Sequence, residues 1–329
     1  MTRIKTAVHV GSVIPADCER KVFKKQTSLT RQYMSNLLKL QAVKIDMSNL
    51  SNRTQALQIV RRLVKEGFQA LFAGGCVRDH LLGRPAKDYD VVTNAPPDRI
   101  ISLFHKTLQI GARFGVILVI LDNKQIEVAT FRTEGSYQDG RHPGRVEFTS
   151  VEEDASRRDF TINGMFYDPL EKKVLDFVGG QKDLKRRILR TIGKPEERFA
   201  EDYLRLMRAV RFATQLAFEI EEKTWEAVKK YAGKIRDISA ERVAMELEQI
   251  LTDSNRERGV KLLVESGLIK AIFPQLQDEQ ANLGIHVLSC LSGKVNFALS
   301  MAALWTDVRI KQAIEWAKSF RLSNSMIKH

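Results

Sequence analysis

The feature that most restricts the fold is a glycine pair between a short apolar run and a short helical segment. Residues 68–73 are mostly apolar and predict a strand, and Gly74 and Gly75 follow directly. Residues 77–82 predict a helix that stops at a further glycine. A second strand is predicted at residues 88–92, which alternate and include two adjacent valines. This order predicts helices packed on a sheet.

The glycine turn has the properties of a phosphate-binding loop. Gly74 and Gly75 carry no Cβ, so backbone amides can approach a phosphate, and the dipole of the following helix favours negative charge. Arg78 would add a charge-assisted fork to phosphate oxygens. A glycine pair alone is more often an ordinary turn, so the interpretation depends on the residues that follow.

Two acidic residues, Asp88 and Asp90, follow the segment that runs from Gly74 to Asp79, and Asp88 lies nine positions after Asp79. On a strand, Asp88 and Asp90 would point to the same face because side chains alternate. Two crowded carboxylates repel unless a cation lies between them, and Mg²⁺ prefers oxygen ligands and leaves room for phosphates. Glu127, on a later strand, would supply a third carboxylate. The alternative is a solvated strand end.

The remainder of the head contains a hairpin and a long loop. Residues 117–121 and 125–132 predict two strands joined by a turn at Asp122 and Asn123. Residues 133–150 are rich in Gly, Asp, Arg and Pro and predict a long, mobile loop, a type of segment that is often functional.

The second half of the chain has a helical pattern. Helices are predicted at about residues 200–217, 222–232, 239–252 and 255–266. We therefore expect an α+β fold, with a head whose mixed sheet is flanked by helices, followed by an all-helical neck and body. The expected divisions are a disordered leader at 1–46, a head at 47–190, a neck at 191–254 and a body at 255–329.

Composition narrows the class of protein. Lys and Arg number 53 against 40 Asp and Glu, but nearly half of the +13 surplus lies in residues 1–46, so net charge alone identifies no site. No run of about eighteen apolar residues predicts a membrane span. Cys18, Cys76 and Cys290 lie far apart, which argues against a disulfide framework or a zinc site and favours the cytoplasm. The basic leader would also suit organellar import, although acidic residues interrupt it.

Residues 74–91, GGCVRDHLLGRPAKDYDV, resemble the signature of the nucleotidyltransferases of the DNA polymerase-beta superfamily. More narrowly, they resemble the class II tRNA nucleotidyltransferases, the CCA-adding enzymes, and their poly(A) polymerase relatives. The resemblance covers residues 68–270, and Gly164, where alanine is common, is a minor departure. It continues through Arg157-Arg158-Asp159-Phe160-Thr161-Ile162-Asn163, then Glu201-Asp202-Tyr203-Leu204-Arg205 with Arg208 and Arg211, and then Ser239-Ala240-Glu241-Arg242.

The resemblance implies roles for these residues. Asp88 and Asp90 would hold Mg²⁺ ions that activate the RNA 3′-hydroxyl and stabilise the departing pyrophosphate. Gly75 and Arg78 would hold the triphosphate of CTP or ATP. The phosphates and ribose would be steadied by Arg157 or Arg158 together with Asp159 and Asn163.

The helix predicted near residue 205 indicates an anion site on independent grounds. Arg205, Arg208 and Arg211 recur every three residues, opposite an apolar arc. Like charges at this spacing destabilise a helix by a few tenths of a kcal/mol per pair, and an anionic ligand would offset that cost. The alternative is a solvated basic face with an Asp202–Arg205 pair.

In the resembled family, the carboxylate and the first arginine of this helix read the base. Cytosine and adenine both present an amine donor beside a ring-nitrogen acceptor, so Asp202 can accept and Arg205 can donate. Uracil and guanine reverse both polarities, which leaves buried groups unpaired. One site would then admit CTP and ATP and reject UTP and GTP.

Several alternatives stay open at this point. The resemblance fits addition of C and A to the tRNA 3′ end, addition of A alone, or a poly(A) polymerase, and from another class a catalytically silent RNA-binding relative. A loop at 133–150 favours A addition, and we expect the body to be shorter than in many relatives, which affects tRNA affinity more than chemistry. No protein partner is implied. The loop carries Tyr137, Asp139, Arg141 and Arg145, and a basic cluster that would grip RNA comprises Lys182, Lys185, Arg186, Arg187 and Arg190.

Overall fold

The computed structural model describes residues 47–134 and 146–322. Its strands, in chain order, are β1 (Ala70–Ala73), β2 (Asp90–Thr93), β3 (Thr107–Gly111), β4 (Val116–Leu121), β5 (Lys124–Thr130), β6 (Arg132–Glu134), β7 (Val146–Phe148), β8 (Phe166–Asp168), β9 (Lys173–Leu175), β10 (Ile188–Leu189) and β11 (Glu219–Ile220). Its α-helices are α1 (Met47–Lys65), α2 (Gly75–Leu81), α3 (Pro97–Leu103), α4 (Val151–Ser156), α5 (Gly180–Arg186), α6 (Pro195–Glu201), α7 (Leu204–Leu216), α8 (Glu222–Tyr231), α9 (Ala240–Leu251), α10 (Arg256–Glu265), α11 (Leu268–Ile272), α12 (Asp278–Cys290), α13 (Phe297–Leu304) and α14 (Ile310–Ser319).

A seven-stranded sheet in the order β3-β4-β5-β2-β1-β8-β9 lies in the first half of the chain. The pair β2–β5 is parallel and the other neighbouring pairs are antiparallel, so the expected mixed sheet of an α+β fold is confirmed. The hairpin is confirmed as well. Asp122 and Asn123 both have positive φ, 48° and 62°, as a two-residue type I′ turn requires.

The sheet has apolar side chains on both faces. Val91 belongs to a buried cluster that includes Ile59 of α1, whereas Val92 belongs to a second cluster with Val151 and Ala155 of α4. Because side chains alternate along a strand, the first residue of β2, Asp90, shares the α4 face with Val92. The fold thereby places an acidic group beside α4.

The helix predicted at 200–217 is interrupted, which corrects that expectation. α6 ends at Glu201, Asp202 is extended with φ −153°, and α7 begins at Leu204. The cause is local, because the Asp202 carboxylate accepts a hydrogen bond from the Leu204 amide at 2.9 Å and so competes with the helical bond pattern. The helices predicted at 222–232, 239–252 and 255–266 correspond to α8, α9 and α10.

Two expectations about the head also change. β2 begins at Asp90, so Asp88 precedes the strand instead of lying on it. The predicted loop at 133–150 is bounded by paired strands, since β6 and β7 form an antiparallel ladder that pairs Arg132 with Phe148. Residues 135–145, which include Tyr137, Asp139, Arg141 and Arg145, lie outside the described residues, as does the leader at 1–46.

From Pro195 onward the described chain is helical apart from the short strand β11. α7 packs against α9 and α10, and its apolar side is buried as the sequence predicted, with Leu206, Met207 and Val210 fully inaccessible. Within the described ranges, no helix is both long and apolar enough to cross a membrane.

Candidate active site

A cavity of about 750 Å³ lies between the glycine turn and α7. Every residue that the sequence assigned to the site, with the exception of Glu127, lines it. These residues are Gly74, Gly75, Arg78, Asp88, Asp90, Arg157, Arg158, Asp159, Asn163, Asp202, Arg205, Arg208 and Arg211. The fold thus brings together side chains that lie up to 137 positions apart in the sequence.

The carboxylates converge at the start of β2. Asp90 and Asp88 line the same cavity, and the parallel register pairs Val91 with Val128, which places Glu127 beside Asp90. Glu127 lines an adjoining cavity of about 230 Å³ that Asp90 also borders. Asp90 is exposed where it lines the cavity. Partial desolvation by the surrounding protein raises the pKa of Asp90 to about 6, with further increases from the charges of Glu127 and Asp88 and an opposing effect of Arg158.

The chemistry of this donor set fits a divalent cation. Across the two described ranges, no three or more His, Cys, Asp or Glu side chains gather into a complete metal cage. Mg²⁺ does not need one, because it is commonly held by one or two carboxylates and completes its shell with water and substrate phosphates. Asp88 and Asp90 line a cavity of about 750 Å³, which has room for substrate phosphates and water, and so satisfy that requirement.

The glycine turn is close-packed against an arginine. Gly74 has φ +71°, a conformation that L side chains rarely adopt, and a Cβ at this position would lie 3.3 Å from Nη1 of Arg158. Gly75 is the first residue of α2, so the N-terminal amides of that helix open onto the cavity. Arg78 is braced by Asp79, whose Oδ1 accepts from Nε at 2.9 Å.

A hydrogen-bonded chain connects this turn to α7. Arg78 Nη1 donates to Asn163 Oδ1 at 2.9 Å, and Asn163 Nδ2 donates to Asp159 Oδ1 at 3.3 Å. Arg208 Nε then donates to Asp159 Oδ2 at 2.9 Å. Burial alone would raise the pKa of Asp159, but the Arg208 charge and hydrogen bonds outweigh it and lower the pKa to about 2. The Asp159 carboxylate is therefore ionised and bonded within the chain.

The three arginines of α7 do not depend on a bound anion to offset their mutual repulsion. Each has a carboxylate partner: Arg205 pairs with Glu201, Arg208 with Asp159 and Arg211 with Glu246. Arg205 is 8% exposed and also donates to the Arg198 carbonyl at 2.9 Å. Internal pairing thus replaces the anionic ligand that the sequence pattern suggested.

Asp202 pairs with Arg242 and not with Arg205. Arg242 Nη2 donates to Asp202 Oδ2 at 2.7 Å, and Arg242 also lines the cavity. The sequence reading included Arg242 in a family-like segment but gave it no role. The sequence did not predict a role for Phe212. Its ring lines the cavity, and the Arg211 guanidinium lies 4.2 Å from the ring centroid. The signal that could have indicated it is an apolar residue on the arginine side of α7.

The comparisons with known proteins agree with this geometry. Residues 70–190 match the family described as "Poly A polymerase head domain", and residues 217–280 match "Probable RNA and SrmB- binding site of polymerase A". The CCA-adding enzyme of Bacillus pumilus is 39% identical over 280 residues, which are 84% of this chain and 69% of that protein. The corresponding enzyme of a Geobacillus species is 40% identical over 281 residues, covering 83% and 68%. This chain belongs to the CCA-adding enzyme family.

A solved structure supports the same assignment. The Bacillus stearothermophilus CCA-adding enzyme in complex with CTP superposes with a TM-score of 0.73 at 36% identity, covering 84% of this chain and 67% of that one. CCA-adding enzymes are tRNA nucleotidyltransferases of a generally metal-dependent family, and the match confirms the fold of the head that the resemblance implied.

Gly164 stands where the resembled family commonly has alanine. A Cβ at Gly164 would lie 2.8 Å from both Ile192 Cδ1 and Val178 Cγ2, so those side chains occupy the space that an alanine methyl would fill.

In the basic cluster, Lys182, Lys185, Arg186 and Arg187 are exposed. Arg190 is half-buried and pairs with Asp183 and Glu221, so it is the cluster member least available to RNA.

Proposed function

We propose that this chain adds C and A nucleotides to the 3′ end of tRNA, using CTP and ATP, without a nucleic-acid template. The observation that carries the proposal is that Asp88, Asp90 and the arginines of α7 line one cavity. Carboxylates can hold a metal at the reacting phosphate, while backbone amides and arginines of the same cavity can bind the phosphates and the base. A single cavity therefore contains all the parts that nucleotidyl transfer requires.

In the proposed reaction, the 3′-hydroxyl oxygen of tRNA attacks the α-phosphorus, the bond to pyrophosphate breaks, and the hydroxyl proton passes to water. Gly74, Gly75 and Arg78 bind the triphosphate, with Arg157 or Arg158 and Asn163 steadying the phosphates and ribose. Asp88 and Asp90 would hold Mg²⁺, and Glu127, which lines the adjoining cavity, would add negative charge beside Asp90. The metal, when bound, favours the loss of the hydroxyl proton and neutralises charge on the leaving pyrophosphate.

We propose that the base is read where α6 ends and α7 begins. Asp202 accepts from the exocyclic amine of cytosine or adenine, since a carboxylate has acceptor capacity beyond the bonds to Arg242 and Leu204. Arg205 donates to the ring nitrogen while Glu201 and the Arg198 carbonyl hold its Nη1. UTP and GTP would present an acceptor to Asp202 and a donor to Arg205, so neither group could bond to the base, which explains why no template is needed.

Three other assignments fit the same head. Addition of A alone and poly(A) synthesis share the chemistry, and a silent RNA-binding relative shares the fold. The relatives named above are CCA-adding enzymes, which favours addition of both nucleotides. We also propose a catalytic head at 47–190, a base-reading neck at 191–254, a body at 255–329, and the cytoplasm as the compartment.

A product-length assay separates these alternatives. Purified protein is given Mg²⁺, a tRNA that ends before CCA, and labelled CTP or ATP singly and together. We expect two cytidines and one adenosine to be added. Addition only to a tRNA that already ends in CC would indicate A addition alone, a long A tract would indicate a poly(A) polymerase, and no incorporation would refute the enzyme assignment.

Asp88→Ala provides the matching test of mechanism. Because this change removes a proposed metal ligand, we expect incorporation to fall by at least about a thousandfold while tRNA binding, measured by gel shift, changes little. Asp98→Ala, an exposed acidic position on α3 outside the cavity, is the control and should keep its turnover. Near-normal turnover of Asp88→Ala with Mg²⁺ would show that the metal site is wrongly placed.

A further inference from the structure

One buried carboxylate holds both members of the adjacent pair Arg157 and Arg158. Asp154 precedes them by three and four residues, the spacing at which helical neighbours meet. Its Oδ1 accepts from Arg157 Nε at 2.9 Å, and its Oδ2 accepts from Arg158 Nε at 3.2 Å and Nη2 at 3.0 Å. Asp154 is 0% exposed, so each oxygen serves one arginine in a site closed to bulk water.

Further contacts fix the same geometry. The backbone amide of Arg132 donates to Asp154 Oδ1 at 3.3 Å, which anchors the carboxylate to the edge of β6. Arg158 also lies 4.8 Å over the ring of Phe166 and donates from Nη1 to the Asn163 carbonyl at 3.5 Å. The guanidinium is therefore held on three sides, and its remaining side faces Gly74.

The two arginines occupy the boundary between the phosphate cradle and the acidic group. Both line the main cavity with Gly74 and Gly75, and both line the smaller cavity with Asp90 and Glu127. Burial alone would raise the pKa of Asp154, but the charges of Arg158 and Arg157 outweigh it and hold the pKa below its usual range. Asp154 is therefore ionised and bonds both guanidinium groups at this boundary.

We propose that Asp154 is a positioning residue that holds Arg157 and Arg158 where the phosphates of the incoming nucleotide bind. The inference rests on the proposed function and extends it to a residue that contacts no substrate itself. Two adjacent guanidinium groups repel each other, so without this carboxylate their side chains would separate into other rotamers. Part of the binding energy of the nucleotide would then be used to order the two side chains again.

The test compares Asp154→Asn with Asp183→Asn. Asparagine keeps the shape of aspartate but offers one acceptor oxygen and turns N–H donors toward an arginine. Asp183 is a matched control, because it is also buried and bonded to an arginine but lines neither cavity. Equilibrium binding of CTP without tRNA is measured first, followed by KM and kcat for CTP and inhibition by pyrophosphate.

We expect Asp154→Asn to raise the Kd and KM for CTP, and the inhibition constant of pyrophosphate, by roughly tenfold to a hundredfold, with a smaller change in kcat. Asp183→Asn should stay within about twofold of the parent protein in all three, as expected for a carboxylate that does not act on the phosphates. If Asp154→Asn does not fold, Asp154→Glu is measured instead, and it should show the same rise because the longer side chain displaces both arginines.

An unchanged Kd for CTP in a folded Asp154 variant would overturn the inference. Equal losses in Asp154→Asn and Asp183→Asn would overturn it too, since they would indicate general destabilisation. A parent protein that binds CTP but does not extend tRNA would contradict the proposed function and leave the binding test of Asp154 valid. A parent protein that extends tRNA while Asp154→Asn binds CTP normally would contradict only the inference about Asp154.

Discussion

Individual charged residues in this cavity are oriented by opposite charges of the same chain. Asp202 is bonded to Arg242, and Arg205 is bonded to the Arg198 carbonyl and paired with Glu201. Groups fixed in advance do not have to reorganise when a substrate arrives, which is the basis of electrostatic preorganisation. Selectivity for a base should therefore depend on residues that do not touch it.

Arg242→Gln tests this dependence. The change removes the charged partner of Asp202, so the carboxylate can rotate and accept less well from the base amine. We expect the ratio of kcat/KM for CTP to that for UTP to fall by about tenfold, the size of one lost charged hydrogen bond. The measurement is single-nucleotide incorporation with each triphosphate in turn.

Arg258→Gln is the control for that measurement. Arg258 also pairs with a carboxylate, that of Glu219 at 2.9 Å, but it lies outside the main cavity. Its substitution should leave the CTP-to-UTP ratio unaltered. Equal ratios in Arg242→Gln and the parent protein would show that Asp202 is oriented without Arg242.

At the scale of elements, close helix crossings in the second half leave no room for side chains. Gly284 of α12 lies against the end of α13, where a Cβ would come within 2.4 Å of the Leu304 carbonyl oxygen. Backbone atoms cannot move aside as a flexible side chain can. The crossing therefore requires glycine at this position.

Gly284→Ala should lower the free energy of unfolding by about 1–3 kcal/mol, the usual cost of overpacking. Gly233→Ala is the matched control, because a Cβ at Gly233 meets nothing within 4 Å and the change should be neutral or slightly stabilising. The measurement is urea unfolding of both variants. Equal midpoints would mean that the α12–α13 crossing relaxes at little cost.

The sequence predicted those elements whose signals are local. The hairpin follows from alternating residues around Asp122 and Asn123, and α8 to α10 follow from helical spacing. The break at Asp202 was not predicted, because a short polar side chain that bonds a nearby amide competes with helix formation without changing the apolar pattern.

Within the cavity, the sequence predicted which residues lie together but not the carboxylates that pair with the arginines. Ordered motifs identified Asp88, Asp90 and the arginines of α7, all of which line one cavity. The pairs of Arg208 and Arg211 join residues 49 and 35 positions apart, so no local spacing reveals them. Asp154 was within reach of prediction, since three- and four-residue spacing before two arginines is a helical ion-pair signal.

At the scale of the whole molecule, a partly buried ion pair links the sheet-containing half to the helical half. Asp159 follows α4, and Arg208 lies on α7. This pair holds the two parts of the cavity together, so that the proposed phosphate-binding and base-reading groups would contact the same nucleotide. Because the pKa of Asp159 is lowered, the contribution of this ion pair to the free energy of unfolding should depend on pH.

Asp159→Asn should show that dependence. The pKa of Asp159 is lowered from 3.8 to about 2, so its ionised form contributes about 2 kcal/mol to stability at all pH values well above 3.8. That contribution is lost as the pH falls through about 2, because the protonated acid no longer pairs with Arg208. We expect the difference in unfolding free energy between Asp159→Asn and the parent protein to be constant from about pH 7 to pH 5 and to shrink below about pH 4. Urea unfolding across this range measures it, and a double-mutant cycle with Arg208→Gln assigns the coupling to the pair. A difference that stays constant down to about pH 3 would mean that burial and packing, and not the charge on Asp159, hold the two halves together.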